Sequence, residues 1–281
     1  MRFENGLKTI VVATDLGGEA GAALVYARKL AEKFGARVVL AHGLVPIEDG
    51  AATNPVIDDR TANASRVLDE LAEDLVRIGI HSHSEVRQGA VPEMLVDVAQ
   101  KHKAELIVIG AKGIEGAGPV VVSAIAEQLL RLADCPVLIV AEDWIEDASL
   151  SAASKPVLLA IEQNDPPAAA ESACSLAQAF ARPLLVLQVR SGEEETEAST
   201  SPRADRLEDL GIQVPGNVQV RCLAKMGNRD DAIADAIAEN HPGLLVVGVQ
   251  RANGRPVLHG MAFILLLAAR VPVLCVPPAA S

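Results

Sequence analysis

The chain of 281 residues is long enough for two domains that each bury a core, and its formal net charge at pH 7 is −12. Half of the residues are hydrophobic but only 2% are aromatic, so we expect an aliphatic core in a layered α/β fold. The negative charge argues against nucleic acid and anionic membrane surfaces as partners, because both attract a basic face.

The hydrophobic pattern of the first half predicts strands that alternate with helices. Short apolar or alternating runs predict five strands, at 9–14, 37–42, 81–88, 106–109 and 136–140. Apolar residues at helical spacing predict helices at 19–34, 64–79 and 91–102, and a fourth with Ala126, Leu129, Leu130 and Ala133 on one face. Residues 44–61 are rich in proline, glycine and asparagine and are predicted to be largely loop. This alternation is typical of a parallel, doubly wound sheet.

A glycine-rich turn follows the strand at 106–109. Gly110, Gly113, Gly116 and Gly118 precede the fourth helix, and a strand, loop and helix N-terminus in this order can bind a phosphate through backbone N–H groups. The same glycines are equally consistent with a tight surface turn.

From Pro156 the same order of elements begins again. PVLLAI matches TIVVAT, LLVLQV matches RVVLAH, LLVVG matches LIVIG, and PVLCV matches PVLIV. Helices are predicted at 171–180, 231–239 and 260–269, and a mobile loop at 191–205. We therefore predict two domains, residues 1–143 and 154–281, joined by a polar linker.

Other sequence features concern the compartment and the membrane. Four cysteines lie along the chain without C-x-x-C spacing and are expected to be reduced and mostly buried: Cys135, Cys174, Cys222 and Cys275. The first residues lack a signal-peptide pattern, and Arg270 and Pro272 divide the apolar stretch 261–276 into pieces too short to span a bilayer. We therefore expect a cytoplasmic protein without a membrane span.

Four segments in order resemble the universal stress protein family in its tandem, two-domain form. They are TIVVATD, VVLAH, GAVPEMLVDVAQKHKAELIVIGAKG and SAIAEQLLRLADCPVLIV. The resemblance implies two Rossmann-like domains of the adenine nucleotide alpha hydrolase-like kind, each an open five-stranded parallel sheet with helices on both faces. It also implies frequent dimerisation through the last strand and, in many members, ATP bound between strands one and four.

The resemblance assigns candidate site residues in the first half. ATP-binding members share a G-x2-G-x9-G-[ST] pattern, in which Gly110 and Gly113 match but the last pair is Ser123 and Ala124. Asp15 matches the aspartate that ends strand one, and Gly43 matches the residue whose backbone meets adenine. The candidate nucleotide site is completed by its neighbours and consists of Ala13, Thr14, Asp15, Gly43, Gly110, Gly113 and Ser123.

The second half keeps less of this pattern. Glu162 stands at the position of the strand-one aspartate, Gly248 keeps the first glycine, and Arg251 replaces the second. Gly260 can match the third only if the loop is shortened by one residue, and Met261 then has no hydroxyl for phosphate. Arg251 and Arg255 could contact an anion, but we expect solvated side chains on a mobile loop.

Neither a metal site nor a catalytic group is expected. His81 and His83 share one strand face, but no cysteine or second histidine pair nearby in the sequence completes a ligand shell. Function therefore has two hypotheses: a stress-response regulator or sensor that binds ATP weakly in its first half, and a nucleotide-free protein-interaction scaffold. The apolar strands PVLIV and PVLCV also predict that the halves pair as an intramolecular pseudo-dimer, with a homodimer of the chain as a further possibility.

Overall fold

In the computed structural model, the described residues are 6–16, 21–44, 55–110, 118–140, 155–161, 167–190, 214–252, 255–257 and 271–278. The chain divides into two compact units, Gly6–Ile145 and a second that contains Glu146–Ser281.

The first unit alternates five strands with four helices. The strands are β1 (Thr9–Ala13), β2 (Arg37–Leu44), β3 (Ser82–Gln88), β4 (Leu106–Gly110) and β5 (Val137–Val140). The helices are α1 (Ala22–Phe34), α2 (Pro55–Arg77), α3 (Val91–His102) and α4 (Gly118–Leu132). The strand order is β3-β2-β1-β4-β5, and every neighbouring pair is parallel.

Helices cover both faces of this sheet. The chain leaves β1 in one direction for β2 and β3, then crosses back to β4 and β5 on the other side. Right-handed crossovers in opposite directions place α1 and α2 on one face and α3 and α4 on the other. In agreement, α3 packs beside α4, while α1 packs on β1 and β4. The two central strands are buried on both faces, which explains their continuous apolar sequence.

The second unit repeats this arrangement. Its parallel strands are β6 (Val157–Ile161), β7 (Leu184–Arg190), β8 (Val220–Met226), β9 (Leu244–Gly248) and, after the two strands of a hairpin, β12 (Val273–Val276). The order is β12-β9-β6-β7-β8. The described helices are α5 (Pro167–Ala179) and α6 (Arg229–Asn240), and the hairpin strands are β10 (Gln250–Ala252) and β11 (Arg255–Val257).

Three elements differ from the sequence predictions. Helix α2 begins at Pro55, within the predicted loop, because proline lacks an N–H group and its fixed φ suits the first helical turn. Strand β8 was not predicted, since its polar and apolar residues are mixed as is common at a sheet edge. Arg251 and Arg255 lie on the strands of an antiparallel hairpin, not on the predicted mobile loop. The predicted loop 191–205 and helix 260–269 lie outside the described residues.

The cysteine and membrane predictions can be compared with the structure directly. All four cysteines are unbridged; three are buried and Cys222 is half-buried, which confirms the expectation of reduced, mostly buried residues. Within the described part of the chain, no helix combines the length and the apolar character needed to cross a bilayer.

Candidate functional site

The strand order of the first unit defines a crevice at one edge of the sheet. The chain leaves β1 toward β2 on one side, and β4 flanks β1 on the other side, so the order reverses between β1 and β4. Ligands of open α/β sheets bind beyond the carboxyl ends of the strands at this reversal. The predicted residues at the ends of β1 and β4 therefore border the expected binding position.

The end of β1 turns sharply just after the sheet. The Thr14 N–H group donates to the Ala41 carbonyl at 3.1 Å, and the Leu16 N–H group donates to the Thr14 hydroxyl oxygen at 3.2 Å. Leu16 has φ of 65°, the left-handed region that is uncommon for a side chain of this size. This turn leaves Asp15 exposed at the carboxyl edge of the sheet.

His42 fixes this turn from the neighbouring strand. Its Nδ1 atom lies 2.8 Å from the Thr14 carbonyl oxygen. Because a carbonyl can only accept, Nδ1 carries the proton, and Nε2 of a neutral ring is left as an acceptor. The sequence prediction named the following glycine and did not assign a role to this histidine.

Gly43 has a packing reason to be glycine. A Cβ atom at this position would lie 3.0 Å from Val91 Cγ2 and 3.1 Å from Met94 Cε, both in the first turn of α3. The missing side chain therefore lets α3 approach the end of β2. This packing reason for a glycine does not depend on any ligand. The backbone of Gly43 lies near the carboxyl end of β2.

The phosphate side of the candidate site is only partly described. Gly110 ends β4, is half-buried, and pairs in register with Val140. Gly113 lies outside the described residues, and Ser123 lies within α4 without a described side-chain environment. The structure therefore brings Ala13, Thr14 and Asp15 to the same sheet edge as Gly43 and Gly110.

Comparison with known proteins identifies the first unit. Residues 6–141 match the model of the universal stress protein family. The first half of this chain is a universal stress protein domain. A universal stress protein of Methanocaldococcus jannaschii is 28% identical over 145 residues, which cover 49% of this chain and 84% of that protein. A universal stress protein of Thermus aquaticus is 29% identical over 138 residues, which cover 47% of this chain and 98% of that protein.

A solved structure extends the likeness to the whole chain. The crystal structure of a universal stress protein from Archaeoglobus fulgidus matches with a TM-score of 0.76, covering 99% of this chain and 98% of its own. The two sequences are 18% identical, so this match shows the fold alone. It confirms the predicted α/β fold class, and the two units agree with the tandem form of universal stress proteins.

The second unit has larger apolar side chains at two positions of the first domain's candidate site. In the strand registers, Ile161 corresponds to Thr14 and Val189 corresponds to Gly43. Ile161 is buried and has no hydroxyl to hold a turn, and Val189 carries the Cβ atom that the first domain lacks. Glu162, Gly260 and Met261 lie outside the described residues. The described part of this unit therefore differs from the candidate site of the first domain at two positions.

Proposed function

We propose that the protein is a stress-response regulator or sensor whose first universal stress protein domain binds an adenine nucleotide, ATP in the first instance. The observation that carries the proposal is the turn at Thr14–Leu16, which exposes Asp15 beside the crevice between β1 and β4. Such crevices are the usual ligand position in this class of fold.

The proposed roles follow from the positions of the described residues along the sheet edge and, for Gly113 and Ser123, from the family's glycine pattern. Asp15 and the Gly43 backbone lie toward the ribose and the base, with Ala13 and Thr14 between them. Gly110, Gly113 and Ser123 lie toward the phosphates. His42 does not contact the nucleotide in this proposal but holds the Thr14 carbonyl, and with it the path of the chain into Asp15.

We propose that the phosphate end limits the affinity. Ser123 puts a Cβ atom where the family pattern has glycine, and Ala124 removes a hydroxyl donor. The loss of one charge-assisted hydrogen bond costs roughly 1.5–3 kcal/mol, which is about one to two decades in Kd.

We propose a binding role, not a catalytic one. Among the candidate site residues, Asp15 is the one ionisable side chain, and none is a histidine, cysteine or lysine. Nucleophilic catalysis needs a nucleophile that is activated, in most enzymes by a neighbouring base such as histidine or lysine. The candidate site residues do not supply such a pair. A cytoplasmic location remains part of this proposal.

The second candidate function is a nucleotide-free interaction scaffold. It is favoured by Ile161 and Val189, which alter the corresponding edge of the second unit, and by the altered Ser123–Ala124 pair in the first.

For either function we propose that the halves pair through β5 and β12 as an intramolecular pseudo-dimer, because unpaired apolar edge strands promote aggregation. Consecutive slow-exchanging amides along β5 would support pairing, whereas fast exchange at alternate positions would contradict it.

Isothermal titration with ATP tests the nucleotide proposal. We expect weak binding by the wild type, no measurable binding by Asp15→Ala, and unchanged binding by Asp97→Ala, a matched removal of an exposed carboxylate in the middle of α3. The double variant Ser123→Gly with Ala124→Ser should bind about tenfold or more tightly than wild type. If neither the wild type nor the double variant binds ATP measurably, the scaffold function replaces the nucleotide proposal.

A further inference from the structure

A charged cluster joins strand β3 to the end of helix α3, on the far side of β2 from the nucleotide crevice. At its centre is Glu85, whose side chain is 7% exposed. Its Oε1 atom accepts from His102 Nε2 and, at 2.6 Å, from Lys101 Nζ, while Oε2 accepts from Arg87 Nη2 at 2.9 Å and Nε at 3.0 Å. His83 Nε2 lies 3.7 Å from Oε1, and the two imidazole ring centroids are 5.5 Å apart.

We propose that His83, Glu85 and His102 form a binding site for a divalent transition-metal ion of the zinc class. One ligand atom from each residue lies within 4.8 Å of the other two. Two imidazoles and one carboxylate are a donor set that zinc accepts, and a water molecule completes the tetrahedron.

The distances require small side-chain movements. With metal–ligand bonds of about 2.0–2.1 Å, neighbouring ligands of a tetrahedron are roughly 3.3–3.4 Å apart. His83 Nε2 is 3.7 Å from Glu85 Oε1, close to this value. His102 Nε2 and Glu85 Oε1 are in direct hydrogen-bond contact and must separate. Nε2 binds a metal through its lone pair, so the neutral ring must carry its proton on Nδ1 in the metal-bound form. Rotation of the exposed His83 side chain can supply the remaining adjustment.

The surrounding charges orient the carboxylate. Arg87 binds Oε2 through two nitrogen atoms, which leaves Oε1 directed toward the histidines. A hydrogen bond to the outer oxygen of a ligating carboxylate is the usual support around a metal site. Lys101 competes with the metal for Oε1, but its side chain is 54% exposed and can move into solvent.

The second unit supplies an internal comparison. At the positions that correspond to the three proposed ligands it has Arg221, Leu223 and Asn240. Its β8 and α6 are joined instead by Lys225, which donates to Glu239 at 2.8 Å. The proposed site is therefore confined to the first domain. Sequence spacing did not reveal it, because His102 comes from a helix that follows β3.

Zinc titration of the untagged 281-residue chain, after treatment with EDTA and dialysis, tests the proposal. We expect one zinc per chain, and the visible absorption of tetrahedral Co²⁺ when cobalt replaces zinc. His83→Ala, at a side chain that is 60% exposed, should fold normally and weaken zinc binding by at least about tenfold, since even the loss of an outer-shell partner costs 10–100-fold.

Two further variants distinguish a metal site from a salt-bridge cluster. His81→Ala removes an exposed histidine two residues away and should leave zinc affinity unchanged. Lys101→Ala removes the competing ammonium group and should strengthen zinc binding. Wild-type protein that binds no zinc, or equal affinities for His83→Ala and wild type, would overturn the proposal and leave a cluster of ion pairs.

Discussion

His42 on β2 lies with its Nδ1 atom 2.8 Å from the carbonyl oxygen of Thr14, the first residue after β1. One imidazole thus holds the neighbouring strand at the point where the chain leaves the sheet. We predict that His42→Ala lowers the free energy of unfolding by about 0.5–1.5 kcal/mol, the usual net value of one hydrogen bond. His42→Asn keeps a donor near the Nδ1 position and should lose less. Urea denaturation measures both; equal losses would mean that the contact does not stabilise the turn.

Any side chain at position 43 should destabilise the folded protein. We predict that Gly43→Ala destabilises the protein by about 1 kcal/mol or more, because its Cβ atom would press on Val91 and Met94 and displace the start of α3. The matched control is Gly216→Ala, where an added Cβ atom meets nothing within 4 Å. Thermal melts of the two variants decide, and similar midpoints would show that α3 adjusts freely.

Glu85 should stabilise the metal-free protein against acid. Burial alone would raise the pKa of this carboxyl, but hydrogen bonds from His102, Lys101 and Arg87 outweigh burial and lower the pKa from 4.5 to about 2. A lowered pKa gives stability that is present above the unfolded value and is lost as the pH falls toward the folded value.

The measurable consequence is a stability difference that depends on pH. One pKa unit corresponds to ~1.4 kcal/mol. Above pH 5 the free energy of unfolding of the wild type should therefore exceed that of Glu85→Gln by up to about 3 kcal/mol, and this difference should shrink between pH 4.5 and 2. Urea melts in EDTA across this range provide the measurement. A constant difference would show that the carboxyl titrates normally.

The cysteines should differ in reactivity toward iodoacetamide. Burial raises the pKa of the Cys135 and Cys275 thiols to about 12 and that of Cys174 to about 11, so little thiolate exists at neutral pH. We predict that the half-buried Cys222 is alkylated first in the native protein, with all four reacting at similar rates in urea. Peptide mass spectrometry gives the order, and early labelling of Cys275 would contradict it.

The sequence predicts the central strands of this fold better than the start of α2 and the edge strand β8. Continuous apolar runs locate β4 and β9 closely, because strands buried on both faces are almost entirely apolar. The start of α2 at Pro55 was missed, since proline also marks loops. Strand β8 was missed because an edge strand need not be apolar.

The candidate nucleotide site was predicted as a set of positions, and its geometry was not. Asp15, Gly43 and Gly110 each follow or end a predicted strand, so topology alone brings them to one edge. The contact of His42 with Thr14 depends on side-chain reach between strands, which sequence spacing does not report. The same limit hid His102, which reaches Glu85 only after α3 has packed back along the sheet.

The opposite charges of the two edge pairs bear on how a duplicated chain assembles. In the first domain an acidic strand residue, Glu85, meets the basic Lys101 of α3, whereas in the second unit the basic Lys225 meets the acidic Glu239 of α6. In the strand registers Lys225 holds the position of Arg87, and Leu223 holds that of Glu85. If α3 docked onto β8 during folding, Lys101 would therefore lie beside Lys225 and would have no carboxylate at the position of Glu85. This like-charge contact disfavours the wrong helix on the second edge strand. Exchange of elements between repeated domains is a common route to misassembly, and the charge at one edge position acts against it.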